Sequence, residues 1–182
     1  MLYIMRHGKT DWNALYKLQG RVDISLNDEG RQMAIDAGKL AKDINFDVCY
    51  CSPLMRAQET AKLFLAERNV PIITDDRLIE MAFGEYEGKE NCFEHPEWAV
   101  YRLFKDPANY VADKGAESFA DLYKRTGQFL EEVALPLVKN GKDVLIIGHG
   151  AMNCSIVNQI NHTPLEKFWD CGIKNCELKK LI

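Results

Sequence analysis

Arg6, His7, Arg56, Glu80 and His149 are the residues of this chain whose types suit chemistry on a phosphate monoester. Arginine grips phosphate oxygens through a planar fork and keeps its charge. An imidazole can act as a nucleophile and form a covalent intermediate. Neighbouring arginines lower a histidine's pKa below its usual value of about 6.5, which keeps it neutral and nucleophilic. A glutamate beside a bound dianion shifts the other way and can hold a proton for the leaving oxygen. Helix N-termini add amide donors and a favourable dipole. Taken singly, each residue has a plainer reading as a structural histidine, a surface arginine or a solvated carboxylate. Glu85 and Glu87 compete with Glu80 for the acid role.

Distant residues meet only if the fold gathers them. Leu2–Met5 is a short apolar run that reads as a buried strand ending at Arg6 and His7. Asn27 suits a helix cap, with Met33, Ala34, Ala37, Leu40, Ala41 and Ile44 at helical spacing behind it. Phe46–Cys51 reads as a second strand. Ser52-Pro53 suits a cap and first-turn proline, and the helix carrying Arg56 is expected to run to about Arg68 with Leu54, Ala57, Ala61 and Phe64 or Leu65 inward. Pro71–Thr74 reads as a third strand, followed by Glu80. Ser118 and Asp121 suit a capping box opening a long helix through Leu137, with a kink at Pro136. Val144–Ile147 is a continuous β-rich run typical of a strand covered on both faces, and His149 follows it between two glycines, ahead of a helix over Ala151–Ile160. A last strand is expected near Cys176–Leu181. Strands alternating with helices predict a three-layer α/β/α sandwich with a mainly parallel sheet. Such sheets bind ligands beyond the carboxyl ends of their strands, the edge where all five residues would lie.

The 182 residues suit one domain. An apolar share of 47% excludes a disordered chain, and a net charge of −4 argues against a nucleic-acid partner. No apolar run approaches the roughly 20 residues that span a bilayer, and the N-terminus carries no secretory pattern, so a cytoplasmic location is expected. The six cysteines need not form disulfides. Cys49 and Cys51 would be half of a zinc site with no second half, and the Cys51–Arg56 spacing is one residue short of a thiol phosphatase loop. Residues 84–116 mix aromatics, charges and prolines, and are expected to form short helices and loops attached to the core as a lid or specificity segment.

The chain resembles the histidine phosphatase superfamily, the phosphoglycerate mutase-like proteins. The matching residues are Arg6-His7-Gly8-Lys9-Thr10 with Asn13, Gln19-Gly20, Ser52-Pro53-Leu54-Met55-Arg56-Ala57, Leu78 with Glu80, Phe83-Gly84 with Glu87-Gly88, Gly115 with Glu117-Ser118, and Gly148-His149-Gly150. They occur in family order along nearly the whole chain. The resemblance implies that His7 becomes phosphohistidine, that Glu80 protonates the leaving group and then assists water, and that Arg6, Arg56 and His149 hold the phosphoryl oxygens. It makes Asn13 a further phosphate contact and sets Gln19 and Gly20 at the substrate's border. It implies no metal and no cofactor. Lys9 stands where Glu or Gln is common, and Ala116 replaces a frequent second Gly. Met81-Ala82-Phe83-Gly84 after Glu80 is the phosphatase-like form, whereas the cofactor-dependent mutases carry an Arg-His-Tyr-Gly type of sequence there. The expected activity is hydrolysis of a small phosphomonoester, with sugar phosphates, phosphoserine, phosphoglycerate and α-ribazole phosphate as candidates. The alternatives are a cofactor-dependent phosphoglycerate mutase and a non-catalytic phospholigand-binding protein.

Overall fold

The computed structural model describes residues 1–66 and 68–182. Five strands form one sheet: β1 (Leu2–Arg6), β2 (Val48–Cys51), β3 (Ile72–Thr74), β4 (Val144–Gly148) and β5 (Leu178–Lys180), in the order β3-β2-β4-β1-β5. β1, β2, β3 and β4 run parallel, and β5 pairs antiparallel with β1. β1 and β4 lie side by side, Leu2 opposite Val144 and Arg6 opposite Gly148. That register brings the residues after both strands to the same edge.

Alternation along the strands splits the core into two layers. Leu2, Ile4, Val48, Val144 and Ile146 face one layer, with Phe129, Met152 and Ile156. Met5, Cys49, Cys51, Leu145 and Ile147 face the other, with Ala57, Ala61, Phe64 and Leu65. The helices over the second face are α2 (Asp28–Leu40) and α3 (Met55–Leu65). Over the first lie α5 (Phe119–Phe129), α6 (Leu135–Lys139) and α7 (Gly150–Asn161). The chain is thus a three-layer α/β/α sandwich with a mostly parallel sheet. A short α1 (Asp11–Ala14) follows β1, and α4 (Ala99–Lys105) lies among 3₁₀ turns between residues 84 and 116. This stretch packs Tyr86, Cys92, Val100 and Leu103 against Phe119 and Leu122 of α5 and Ala151 and Cys154 of α7.

Several local expectations shift. The second strand begins at Val48 rather than Phe46, because Asp47 is held outside the ladder by both its N–H and its carboxylate on Asp143. Leu40 is not inward but 89% exposed. The buried line of α2 is Gly30, Ala34 and Gly38, and two residues beyond Gly38 is roughly 200° around the helix. Ser52-Pro53 does not cap α3. The helix starts at Met55, whose N–H donates to the Asp23 carboxylate at 2.8 Å, while Ser52 Oγ accepts only from Leu54 N. The helix ends at Leu65, and its expected continuation to Arg68 crosses Glu67, which lies outside the described residues. The long helix to Leu137 is interrupted not by a kink at Pro136 but by a π turn over Leu130–Ala134 just before it. Proline has no N–H to donate and its ring crowds the carbonyl four residues back, and a widened turn relieves both. The final strand is shorter than expected, since Cys176 takes positive φ (55°) and turns the chain into β5.

α2 docks against the loop after β1 through close backbone contact and a Lys9–Glu29 ion pair. Asn27 N donates to Lys9 O, and Asn27 Oδ1 caps Gly30 N at 2.8 Å. A Cβ on Gly30 would collide with the Lys9 backbone, and one on Gly8 with the Gly30 carbonyl. Gly30→Ala should therefore lower stability by about 1–3 kcal/mol despite alanine's better helix propensity, read as a lower denaturant midpoint. A neutral or stabilising result would show that this contact opens at little cost.

Candidate active site

All five residues proposed from the sequence reach one place. Arg6, His7, Arg56 and Glu80 line a cavity of about 220 Å³ at the carboxyl edge of the sheet, with Asn13, Gln19 and Gly20. His149 lies just beneath, its ring centroid 5.1 Å from that of His7.

His7 is 3% exposed and held by three backbone contacts. Its N–H donates to Gly148 O, its carbonyl accepts from Asn175 Nδ2 at 2.7 Å, and its Nδ1 lies 2.6 Å from Gly8 O. A carbonyl can only accept, so Nδ1 carries a proton, and in the neutral ring Nε2 keeps the lone pair. Burial first, then the charges of Arg56 and Arg6, hold the His7 pKa well below the usual histidine value. His149 is lowered in the same way, by burial and then by Arg56. Both its ring nitrogens are buried without a hydrogen-bond partner, as are Arg6 Nε and Gln19 Oε1. Polar atoms left in that condition are costly unless a ligand meets them.

Arg56 is fully buried on α3. Its guanidinium donates to Gly20 O at 2.6 Å and Val22 O at 2.9 Å, so the 20–22 loop sets the orientation of the fork. Gly20 has positive φ (56°), and a Cβ there would strike the Glu87 carboxylate. Glu87 is not a competing acid. Its oxygens accept from the backbone of Arg21, Val22 and Phe83 and thereby hold the loop. Glu85 is exposed. Asn13 lines the cavity, but its Oδ1 is spent on Thr10 N and Oγ1 in a capping box for α1, which leaves only its amide N–H groups for a ligand.

Glu80 occupies a position that no reading of its neighbours in sequence suggests. Its Oε2 accepts from Gly150 N at 2.8 Å and Ala151 N at 3.2 Å, and its Oε1 from Met152 N at 2.9 Å and Met81 N at 2.8 Å. The carboxylate caps the N-terminus of α7 in trans, where His149 itself provides no side-chain cap. The loop bearing Glu80 is clamped from behind. Arg125 donates to the carbonyls of Arg77 and Ile79 (2.7 and 2.6 Å), and Arg21 Nε to Glu80 O (3.1 Å). Both arginines pair with the half-buried Glu117, Arg125 in bidentate fashion. Of these, only Glu117 stood out in the sequence, as part of the family resemblance and without a role. Asn175 gave no signal at all, lying 168 residues from the histidine it holds. Among the described residues no three His, Cys, Asp or Glu side chains converge as a metal site requires. All six cysteines are free thiols, and among the described residues no helix is long and apolar enough to cross a membrane.

The mostly parallel sheet gathers at its carboxyl edge two guanidiniums and two neutral imidazoles around a small cavity, a donor set suited to an oxyanion. The chain belongs to the histidine phosphatase superfamily, branch 1, whose family model matches residues 2–182. It is 31% identical over 182 residues to phosphoserine phosphatase 1 of Hydrogenobacter thermophilus, covering 96% of this chain and 82% of that one. It is 30% identical over 182 residues to 2,3-bisphosphoglycerate-dependent phosphoglycerate mutase 2 of Gloeobacter violaceus, covering 97% and 82%. It matches the structure of Bacillus stearothermophilus YhfR with a TM-score of 0.85 and 31% identity, over 97% of this chain and 88% of that one.

Two outcomes follow from this geometry. Glu80→Gln replaces one accepting oxygen by an NH₂ that faces helix N–H groups, so stability should drop by about 1–2 kcal/mol, in contrast to the gain that often follows removal of a buried charge. Thermal unfolding measures it, and an unchanged or higher midpoint would rule out the capping role. The second concerns pH. His7 and His149 have folded pKa values below their unfolded ones, so the unfolded chain binds protons first. Their contribution is intact above about pH 6.5 and is lost as pH falls below it, at up to about 1.4 kcal/mol per pH unit for each. Urea midpoints between pH 7.5 and 5 should show this slope, and His149→Gln should flatten it.

Proposed function

We propose that the chain is a phosphomonoester hydrolase for small phosphorylated metabolites, acting through a phosphohistidine formed on His7. The observation that carries the reading is the 2.6 Å contact of His7 Nδ1 with Gly8 O, which sets the tautomer. A buried, neutral ring whose Nδ1–H is tied to Gly8 O has its Nε2 lone pair free for attack between two arginines.

In the first step His7 Nε2 bonds to phosphorus and the ester P–O bond breaks. Glu80, protonated, gives its proton to the departing alkoxide. In the second step the Glu80 carboxylate takes a proton from water as that water attacks phosphorus. The P–N bond breaks, and phosphate leaves. To carry a proton Glu80 must release one of the four N–H groups it accepts in this structure, so its turnover is coupled to the end of α7. Arg6 and Arg56 bind the phosphoryl oxygens and oppose the charge that grows in the transition state. His149, neutral and otherwise unpartnered, donates one N–H to the same group. Asn13 offers its amide N–H groups, and Gln19 with Gly20 borders the substrate. Residues 84–116 form the specificity lid, a role supported by Phe104, which lines the cavity from α4. The net charge of −4 fits a small ligand rather than a polyanionic nucleic acid, and the expected compartment is the cytoplasm.

Hydrolysis is favoured over the mutase reading by Met81-Ala82-Phe83-Gly84 after Glu80. Mutase names among the relatives keep that second reading specific. The test is phosphate release from a panel of monoesters in EDTA. Activity should survive EDTA, and His7→Ala should lose about 10⁴-fold or more. Rapid acid-sensitive trapping of phosphate on the intact chain, absent from His7→Ala, would identify the intermediate. Failure to release phosphate, with stimulation of isomerisation by 2,3-bisphosphoglycerate, would establish the mutase instead. Binding of phosphate esters without turnover of any kind would leave a phospholigand-binding protein.

A further inference from the structure

Beyond the small cavity that holds Arg6 and Arg56, a second cavity of about 570 Å³ opens at its mouth. The two are continuous through Arg6, Asn13, Lys17, Leu18 and Phe104, which line both. If the inner cavity takes the phosphoryl group, as the proposed function requires, the outer one receives the alcohol half of the ester. Its lining therefore states what that alcohol is.

Of its ionic groups, Arg6 serves the phosphoryl group in the proposed function, and both lysines are paired. Lys9 is paired with Glu29, and Lys17 with Glu90 at 3.6 Å. Asn13 Oδ1 is held by Thr10, and Asn175 Nδ2 by His7 O. The remaining nearby cation, Lys105, is exposed and sits 6.0 Å from the centre of the Phe93 ring. Apart from the amide N–H groups of Asn13, what remains unengaged is apolar and aromatic. Tyr16 and Phe93 line the outer cavity while 71% and 40% exposed, an unusual outlay of aromatic surface to water. Deeper in, Phe104 stacks on Trp169 with centroids 5.2 Å apart and planes 27° from parallel. Trp169 Nε1 donates to Leu103 O at 2.7 Å, which fixes the indole and through it the Phe104 ring. Leu18 lines the same wall.

We propose that the substrate is the phosphate monoester of an alcohol bearing an aromatic or apolar ring and no second anionic group, with Phe104 and Trp169 as its specificity-determining residues. The volume is enough for a fused bicyclic ring. Withdrawing even about 60 Å² of ring surface from water corresponds to about tenfold in affinity. A carboxylate in the same place would have to take Lys9 or Lys17 from its partner or compete with the phosphoryl group for Arg6.

The intact chain should be assayed with 2-naphthylmethyl phosphate, ethyl phosphate, O-phosphoserine and 3-phosphoglycerate. All four are esters of primary hydroxyls, and inductive effects make serine and glycerate the better leaving groups, which works against the expected order. The expected result is a kcat/KM for the naphthyl ester at least about tenfold above each of the others. In Phe104→Ala and, separately, Trp169→Leu, with folding checked by thermal unfolding, the naphthyl-to-ethyl ratio should fall to within about threefold, and Phe104→Leu should retain part of it. Preference for either carboxylated ester, or a naphthyl-to-ethyl ratio indifferent to both substitutions, would overturn the inference. If no ester is turned over, the hydrolase reading fails on its own. Calorimetric binding of 2-naphthylmethyl phosphate against ethyl phosphate then decides the inference by the same tenfold criterion.

Discussion

The carboxylate of Glu80 on the N-terminus of α7 is the contact on which the rest of the site depends. Four backbone N–H groups converge on it, three of them from the first turn of the helix that follows His149. A helix start has unsatisfied donors and positive potential, and a buried start must be given an acceptor. Here that acceptor comes from a loop 70 residues earlier. Joining the two brings the candidate acid beside the helix that presents His149. The arrangement is held from behind by Glu117, whose pairing with Arg125 and Arg21 secures the carbonyls and one N–H of the 77–82 loop. Glu117 is a positioning residue, acting on Glu80 only through these arginines and the loop.

Around that contact the electrostatics are arranged by subtraction. Two arginines supply fixed positive charge, and burial keeps two imidazoles from adding more. A protonated His7 would have no lone pair to offer and would repel Arg6 and Arg56. The neutral form is thus favoured by the same charges that attract a phosphoryl group. The guanidiniums need orientation rather than protonation control. The 20–22 loop orients Arg56, and the end of β1 carries Arg6 while the C-terminal segment returns to hold the carbonyls of Arg6 and His7.

Sequence patterning reproduced the scaffold because each strand and helix follows a local rule. Val144–Ile147 is apolar on both faces because helices cover both. The alternation of strands and helices then sends His7, Arg56 and His149 to one edge whatever the loops do. Misreadings fell where an element answers to a distant partner. α3 lacks its expected cap because Asp23 supplies one from another loop. Asp47 leaves the strand for Asp143, and Leu40 is outside because a line of small residues, not the largest apolar ones, lets α2 approach α3. Glu87 looked like a second acid candidate because charge is visible in a sequence and hydrogen-bond partners are not.

The amino-acid sequence by itself determined the three-layer architecture and the identity of the five candidate residues, because periodicity and residue type are local properties. Tertiary structure alone decided which histidine nitrogen holds the proton, where the Glu80 carboxylate rests and which lysines are already paired. It also decided that Asn175, Arg125 and Trp169 serve the site at all. Each of those depends on a distance of a few ångströms between residues far apart in the chain, and no pattern along the chain encodes such a distance.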